Sequence, residues 1–329
     1  MNLGRQQQGV ALITIMLVVV IATVLGVSMS TDQHFAVNRA RTFFDQGIVR
    51  QYALGGEELA RQILHQDFIE APLTDHLDEN WAAKDLRFEF EQGEIELLIE
   101  DLNSRLNLNS LAIEGEGRRL AKDRLTSLFA EQGLDATYID RVLDWVDQNN
   151  SVSSLGAEDF AYLGLERPYR AANGPMADLS ELRLILEMDA EKFDQIVPFV
   201  AAIADPNAKI NINTASPQVL QAIAPGLSLS AAESIAAGRD SDGPFQSLND
   251  FTGNSSLGTS AVNVTTGGLS VQSNFFQVSI RARFQDRFGY LTSIIQRDPT
   301  DGTMRVIYRD QGKKVQPFIT EQQDEINNG

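Results

Sequence analysis

The sequence predicts an α+β protein: a long N-terminal helix packed on an antiparallel sheet, with a large all-α domain inserted that contains a helix-hairpin-helix-like unit. Three observations predict it. Helical periodicity runs without a proline from Val10 to about Gln66. Alternating segments rich in β-branched and aromatic residues lie at 86–99 and again at 276–309. Between them, residues 118–251 carry several helix-period segments. Strands on both sides of a helical stretch imply one body interrupted by one lobe.

The first element begins with residues 10–30, VALITIMLVVVIATVLGVSMS, and no charge stands between Arg5 and Asp32. About twenty such residues cross a bilayer as a helix. The leader MNLGRQQQG holds one Arg, so the positive-inside bias leaves the N-terminus cytoplasmic and everything after Asp32 outside. A removable secretory signal is the competing reading, because Gly26-Val27-Ser28 offers a small-x-small cleavage site. The apolar run is longer than the roughly 7 to 15 residues of an ordinary signal core. Beyond it, Val37, Ala40, Phe44, Ile48, Tyr52, Gly55, Leu59 and Ile63 recur at spacings of three and four. One helix therefore runs from the membrane into the soluble part, reaching roughly 80 Å at 1.5 Å per residue. A cut after Ser28 would sever it.

After Pro72 and a polar connection to Lys84, residues 86–91 alternate with period two, Gln92-Gly93 is a tight turn, and 95–99 form the return strand. The stretch IEDLNSRLNLNSL, 99–111, then leaves the sheet. Helix-period segments follow at 120–132, 136–147, 178–186 and 190–203, with a long loop between the second and third. Residues 217–251 form the helix-hairpin-helix-like unit. A hairpin that holds a phosphate uses Gly-x-Gly; here Gly226 is followed by Leu227 and Ser228. Lys209 and Arg239 are outnumbered by Asp205, Glu233, Asp240, Asp242 and Asp250, a balance that repels nucleic acid. The unit reads as a packing module. Residues 252–270, rich in Ser, Thr, Gly and Asn, read as a flexible loop. Strands return at 276–284, 290–297 and 304–309, with Asp301-Gly302 as the last hairpin turn. The chain thus divides into a leader (1–9), a transmembrane segment (10–30), the first part of an α+β domain (31–110), a helical insert (111–251), the second part (252–310) and a mobile tail (311–329).

Composition narrows the chemistry. The 329 residues carry a formal charge of −18, which argues against nucleic acid, and no Cys, which excludes disulfides, a thiolate nucleophile and cysteine-based zinc. His34, His65 and His76 all fall on or just after the long helix, none of them in HExxH, and there is no phosphate loop or nucleotide fingerprint. No enzymatic site is expected. Metal is the plausible chemistry: Asp147, Asn149, Glu158 and Asp159 bracket a loop that can bend oxygen ligands around a hard cation such as calcium. The DQNN run matches only the opening of an EF-hand loop and lacks its Gly. Taken alone, such residues also read as ordinary solvated loop positions.

The short Arg/Gln leader ending in Gly9, followed by an apolar helix that runs unbroken into an amphipathic one, resembles the class III signal of type IV pilins and type II secretion pseudopilins. The resemblance implies cleavage by a prepilin peptidase after Gly9, leaving Val10 as the mature N-terminus. Most members carry Glu at the fifth mature position, where this chain has Thr14. A carboxylate inside a bilayer is costly unless it meets a cation, and in these filaments it is thought to pair with a neighbouring subunit's terminal ammonium. A chain with Thr14 cannot make that pair, which suits a subunit at a filament tip.

DWVDQNN, GAEDFAYL, RPYRAANGP and DLSELRLI, in that order, resemble the K family of minor pseudopilins. The resemblance implies a single-pass inner-membrane protein with a periplasmic domain, capping the type II secretion pseudopilus and scaffolding its assembly and protein export. Implied partners are the I-type and J-type minor pseudopilins, other pseudopilins and the prepilin peptidase. Also implied is structural calcium in the insert, at Asp147, Asn149, Glu158 and Asp159, with Asn173 and Glu181 as further candidates. Asn149 stands where many relatives carry Asp, which lowers the charge of the site. Three alternatives stay open: a membrane-anchored helix-hairpin-helix receptor for DNA uptake, a type IV pilus minor pilin, and a secreted calcium-binding protein whose apolar run is removed.

Overall fold

The computed structural model describes residues 4–258 and 264–312. Helix α1 (Gly4–Glu70) is one element of 67 residues, about 100 Å long at 1.5 Å per residue. From Leu12 to Met29 its large apolar side chains all face outward. It is the one helix among the described residues long and apolar enough to cross a membrane.

The second half of α1 packs on the sheet through Val49, Ala53, Gly56, Ala60 and Leu64. This face lies one residue beyond the expected stripe, which is a correction. Ile48, Tyr52, Leu59 and Ile63 flank the contact half-buried, whereas Val37, Phe44 and Gly55 are exposed. The reason is close approach: small residues let the helix backbone descend onto the strands. A Cβ at Gly56 would stand 2.9 Å from methyls of both Ile95 and Ile280, tighter than packed interiors allow.

The sheet comprises β1 (Leu86–Phe90), β2 (Gly93–Asp101) and three later strands, β7 (Phe275–Phe284), β8 (Arg287–Arg297) and β9 (Met304–Gln311). Their order is β1-β2-β7-β8-β9, with antiparallel neighbours throughout. Asp101 at the end of β2 is opposite Phe276 near the start of β7. The insert therefore leaves and returns on adjacent strand ends, and the ladder between them is unbroken. Ile95, Leu97, Ile99, Val278, Ile280, Leu291 and Ile295 complete the core under α1.

Inside the insert, α2 (Glu116–Glu131), α3 (Thr137–Val146) and α4 (Asp159–Leu163) are followed by α5 (Ala190–Ile196), α6 (Pro217–Ile223), α7 (Leu229–Asp242) and α8 (Leu248–Thr252). Ser216, Ser228 and Ser247 cap the last three by accepting from backbone N–H groups of the first turn. Two expected helices are corrected. Residues 178–186 form a 3-10 helix, Leu179–Leu184, closed by a capping box between Asp178 and Glu181. The segment 190–203 stops at Ile196, turns once through Val197–Phe199, and ends as β4 (Val200–Ala201), parallel to β3 (Leu106–Asn107). Pro198 has no N–H to give and its ring conflicts with the preceding turn, so the helix cannot continue.

The expected flexible loop at 252–270 is partly pinned. Leu257 is buried in a 3-10 turn, and β6 (Leu269–Ser270) pairs with β5 (Ile210–Asn211), because Leu257 and Leu269 belong to the insert's apolar core. Residues 259–263 of that loop, 1–3 of the leader and 313–329 of the tail lie outside the described residues.

Candidate functional site

Helix α3 is amphipathic in an unusual sense. Asp140, Asp144 and Asp147 follow one another at spacings of four and three, so they share a face, and all three are buried. The loop after α3 folds back to meet them. Ser153 N donates to both Asp144 oxygens at 3.1 Å, and Leu155 N donates to Asp140 Oδ2 at 3.2 Å. Lys122 pairs with the other oxygen of Asp140. A Cβ at position 156 would collide with the Asp144 carboxylate, so Gly156 is what lets the loop close.

Glu158 enters this pocket from the far end of the loop. Its side chain is buried, and both of its carboxylate oxygens lack a hydrogen-bond partner among the described residues. Burial, reinforced by the charges of Asp144, Asp147 and Asp159, pushes its carboxyl up to about 7. Burial also raises Asp144. An unpaired buried carboxylate is costly, and this one faces others of its own sign. Such a group either holds a proton or meets a cation.

Of the residues singled out in sequence, the structure brings Asp147 and Glu158 together with Asp144. Asn149 is tied to Asp147, its Nδ2 donating at 2.8 Å and its backbone N at 3.2 Å. Asp159 contributes charge to Glu158, but its own oxygens are engaged by Ala171 N at 3.0 Å and by Arg170 at 3.6 Å. Asn173 donates to Asn150. Glu181 accepts from Ala177 N at 2.7 Å and from Trp145 Nε1 at 3.2 Å, which makes it a structural cap. Asp140 and Asp144 were missed; their four-three spacing with Asp147 is the signal that could have found them. All-oxygen donors of this kind fit a hard cation.

A second acidic group lies in the sheet body. Asp67, Asp75 and Glu79 place one carboxylate oxygen each within 4.8 Å of one another, a buried triad that could hold a metal ion. Asp67 hydrogen-bonds to Arg297 at 3.1 Å. At the other end of the molecule, Gly9 and Val10 fall inside α1, and Thr14 lies in its outward-facing apolar part.

A membrane-length helix that continues without a break onto a small antiparallel sheet is the architecture of a pilin-like subunit. Known proteins sharpen this. Family models described as type II secretion system (T2SS), protein K, match residues 104–205 and 210–272. The type II secretion system protein K of Pseudomonas aeruginosa is 38% identical over 333 residues, covering 95% of this chain and 96% of the relative. That of Klebsiella pneumoniae is 30% identical over 302 residues, covering 87% and 92%. A chain in the crystal structure of the GspK-GspI-GspJ complex from the enterotoxigenic Escherichia coli type 2 secretion system superposes with a TM-score of 0.73 at 25% identity. That match covers 84% of this chain and all of the other. The chain belongs to the type II secretion system protein K family, a pseudopilin family whose role is structural rather than catalytic.

Proposed function

We propose that this chain caps the type II secretion pseudopilus and scaffolds its assembly and the export of proteins across the outer membrane. The observation that carries the reading is its likeness, along the whole of the solved chain, to a chain in a structure determined as a complex of K with I and J. The I-type and J-type minor pseudopilins are accordingly its tip partners. Before assembly the apolar half of α1 anchors the precursor in the bacterial inner membrane, with the body in the periplasm. A prepilin peptidase cuts after Gly9, and Val10 becomes the mature N-terminus. In the filament the same half of α1 packs among its neighbours' helices, and Thr14 offers no carboxylate to a further subunit. The insert, 111–251, supplies bulk above the body formed by 31–110 and 252–310.

The acidic pocket of the insert is the calcium site of this reading. Asp144, Asp147 and Glu158 would hold the ion, with Asn149 and Asp159 beside them. The fit rests on the two orphaned Glu158 oxygens, which are buried acceptors without donors. A bound divalent cation would offset the repulsion among these carboxylates and fix the loop that α3 and α4 flank. The ion's part is structural.

The test is chemical crosslinking and co-purification of the full chain in detergent with I-type and J-type pseudopilins, with calcium and with chelator. A ternary complex that weakens in chelator is expected. No complex in either condition would remove the tip assignment. N-terminal sequencing of the mature chain should begin at Val10; a start at Met29 would instead mark a cleaved signal.

A further inference from the structure

The tip-scaffold reading leaves the acidic triad of the sheet body unused. Asp67 lies near the end of α1, Asp75 in the connection after Pro72, and Glu79 just before the single turn Asn80–Ala82. The connection is threaded into the body at Asp75. Its N–H donates to Val271 O at 2.9 Å, its Oδ2 accepts from Ser273 N at 2.7 Å, and its carbonyl accepts from Asn211 Nδ2 at 3.0 Å. Arg297, from the end of β8, reaches in from the other side. It donates to Asp67 at 3.1 Å, to Asp75, and to the Ser273 carbonyl at 2.8 Å, with Phe276 packed against its guanidinium at 4.9 Å.

The charges in this seam do not balance. Three carboxylates face one guanidinium, and the only other basic group beside them among the described residues is the His76 imidazole, so negative charge is in excess. Burial, together with the Glu79 and Asp75 charges, pushes Asp67 up to about 7. Glu79 shows the deficit most plainly. One oxygen accepts from Trp81 Nε1 at 2.6 Å and from His76 N at 3.0 Å. The other, Oε1, is buried and has no hydrogen-bond partner, although the side chain is only 8% exposed and His76 Nε2 stands 3.5 Å away. Each carboxylate oxygen has lone pairs beyond those its donors use. A cleft of about 350 Å³, lined by Gln66, Asp67, Glu70 and Asn80 among others, leads to Asp67 from outside.

We propose that Asp67, Asp75 and Glu79 form a second site for a hard divalent cation, calcium being the natural choice, at the seam where α1, β8 and the strand returning from the insert meet. Oxygen ligands alone select such an ion over zinc or copper. A 2+ ion offsets the excess negative charge and supplies a close ligand contact to Glu79 Oε1, which has no hydrogen-bond donor. It also ties the end of the membrane-proximal helix to the base of the insert, because Asp75 is held by both Ser273 and Asn211. The competing account is a proton shared between Asp67 and Glu79.

The chain contains two tryptophans, and each marks a different acidic site. Trp81 is hydrogen-bonded to Glu79, and Trp145 lies on α3 between Asp144 and Asp147. Terbium, a calcium mimic, luminesces when a nearby indole is excited. The experiment titrates terbium into metal-stripped full chain in detergent carrying Trp145→Phe, which silences the insert as a donor. Saturable emission that calcium displaces is expected, with apparent affinity falling on the order of tenfold or more when Glu79→Gln is added. No saturable emission in Trp145→Phe, or emission indifferent to Glu79→Gln, would overturn the site in favour of the shared proton. Circular dichroism checks each variant; should Glu79→Gln be unfolded, Asp67→Asn replaces it and leaves Trp81 its hydrogen-bond partner. Because the readout comes from Trp81, it stands whether or not the insert binds calcium.

Discussion

Asp101 stands where the insert leaves the sheet and, among the described residues, has hydrogen-bond donors but no cation paired with it. Its carboxylate accepts from Asn103 N at 2.7 Å, from Ser273 Oγ at 2.6 Å and from Thr214 Oγ1. Burial, with Asp75 adding repulsion, pushes it up to about 6. The consequence for pH has a definite sign. Below about 4, the ordinary Asp range, this carboxyl is neutral folded or unfolded. Between there and about 6 the unfolded chain has lost the proton while the folded chain keeps it, so stability falls as pH rises, by about 2 to 3 kcal/mol in all. Above that the penalty is constant. Asp101→Asn should therefore flatten the stability profile between pH 4 and 7, as read by thermal unfolding of wild type and variant across that range; parallel profiles would refute it. Glu158 makes the complementary case. Calcium at 100 times its dissociation constant contributes about 2.7 kcal/mol, a shift of roughly 5 to 11 °C at about 2 to 4 °C per kcal/mol for a domain of about 150 to 250 residues. Glu158→Gln should raise the melting temperature in chelator and cut the calcium-induced shift; a shift left intact would move the ion elsewhere. Asp147 and Glu158 stood out because loop acids invite the question of a cation, and the structure buries both beside Asp144. Asp144 was not, because the reading stopped at the loop instead of following the spacing back into α3. Asp67, Asp75 and Glu79 were beyond reach from sequence, since Arg297, which draws Asp75 in, lies 222 residues away.

At the scale of elements, α1 shows how a period can be read correctly and its phase missed. The periodic stripe centred on Ile48, Tyr52, Leu59 and Ile63 packs at the edge of the core, whereas the centre of the contact with the sheet is Val49, Ala53, Gly56, Ala60 and Leu64. Neighbouring glycines test this. Nothing stands within 4 Å of a Cβ at Gly55, so Gly55→Ala should stabilise by about 0.5 to 1 kcal/mol through helix propensity alone. Gly56→Ala receives the same propensity gain but drives its methyl against Ile95 and Ile280, an overpacking cost of about 1 to 3 kcal/mol. Thermal unfolding should move in opposite directions for the two, and equal shifts would mean that the helix does not sit as closely as described. The strands were legible because period-two alternation survives whatever packs on it. The segments at 178–186 and 190–203 were not, because apolar spacing at 3.6 does not distinguish a 3-10 turn from an α-helix. Pro198 was the warning in the second.

On the scale of the whole molecule, the insert is a second core hung from the sheet by asparagines. Asn103 joins Lys209 O to the N–H groups of Asn274 and Phe275, Asn109 joins Met176 to Ile203 O, and Asn211 joins Asp75 O to Ser273 Oγ. Each amide satisfies backbone that would otherwise be buried without partners. The insert's apolar cluster and the body's cluster under α1 share no residues, and only a small seam of Leu102, Ala201, Ile203 and Phe275 packs on Ile294 and Ile307 of the sheet, so removing the insert leaves the core under α1 whole and bares that patch. Asp101 and Phe276 are already paired across β2 and β7, and a two-residue Asn-Gly turn can join antiparallel neighbours directly. A chain with 102–275 replaced by such a turn should fold as a sheet body carrying α1. That chain separates two explanations of capping. If bulk alone stops the filament, removing the insert lengthens pseudopili whatever stands at position 14. If charge alone stops it, Thr14→Glu lengthens them with the insert in place, because the carboxylate then meets a neighbour's terminal ammonium and its burial in the membrane-derived core is compensated. On the tip reading proposed above both features act at once: the insert adds bulk to the body, and Thr14 lies in the outward-facing apolar part of α1. Pseudopilus lengths measured by electron microscopy should therefore grow only in the double variant, and growth with either change alone would assign the cap to that feature.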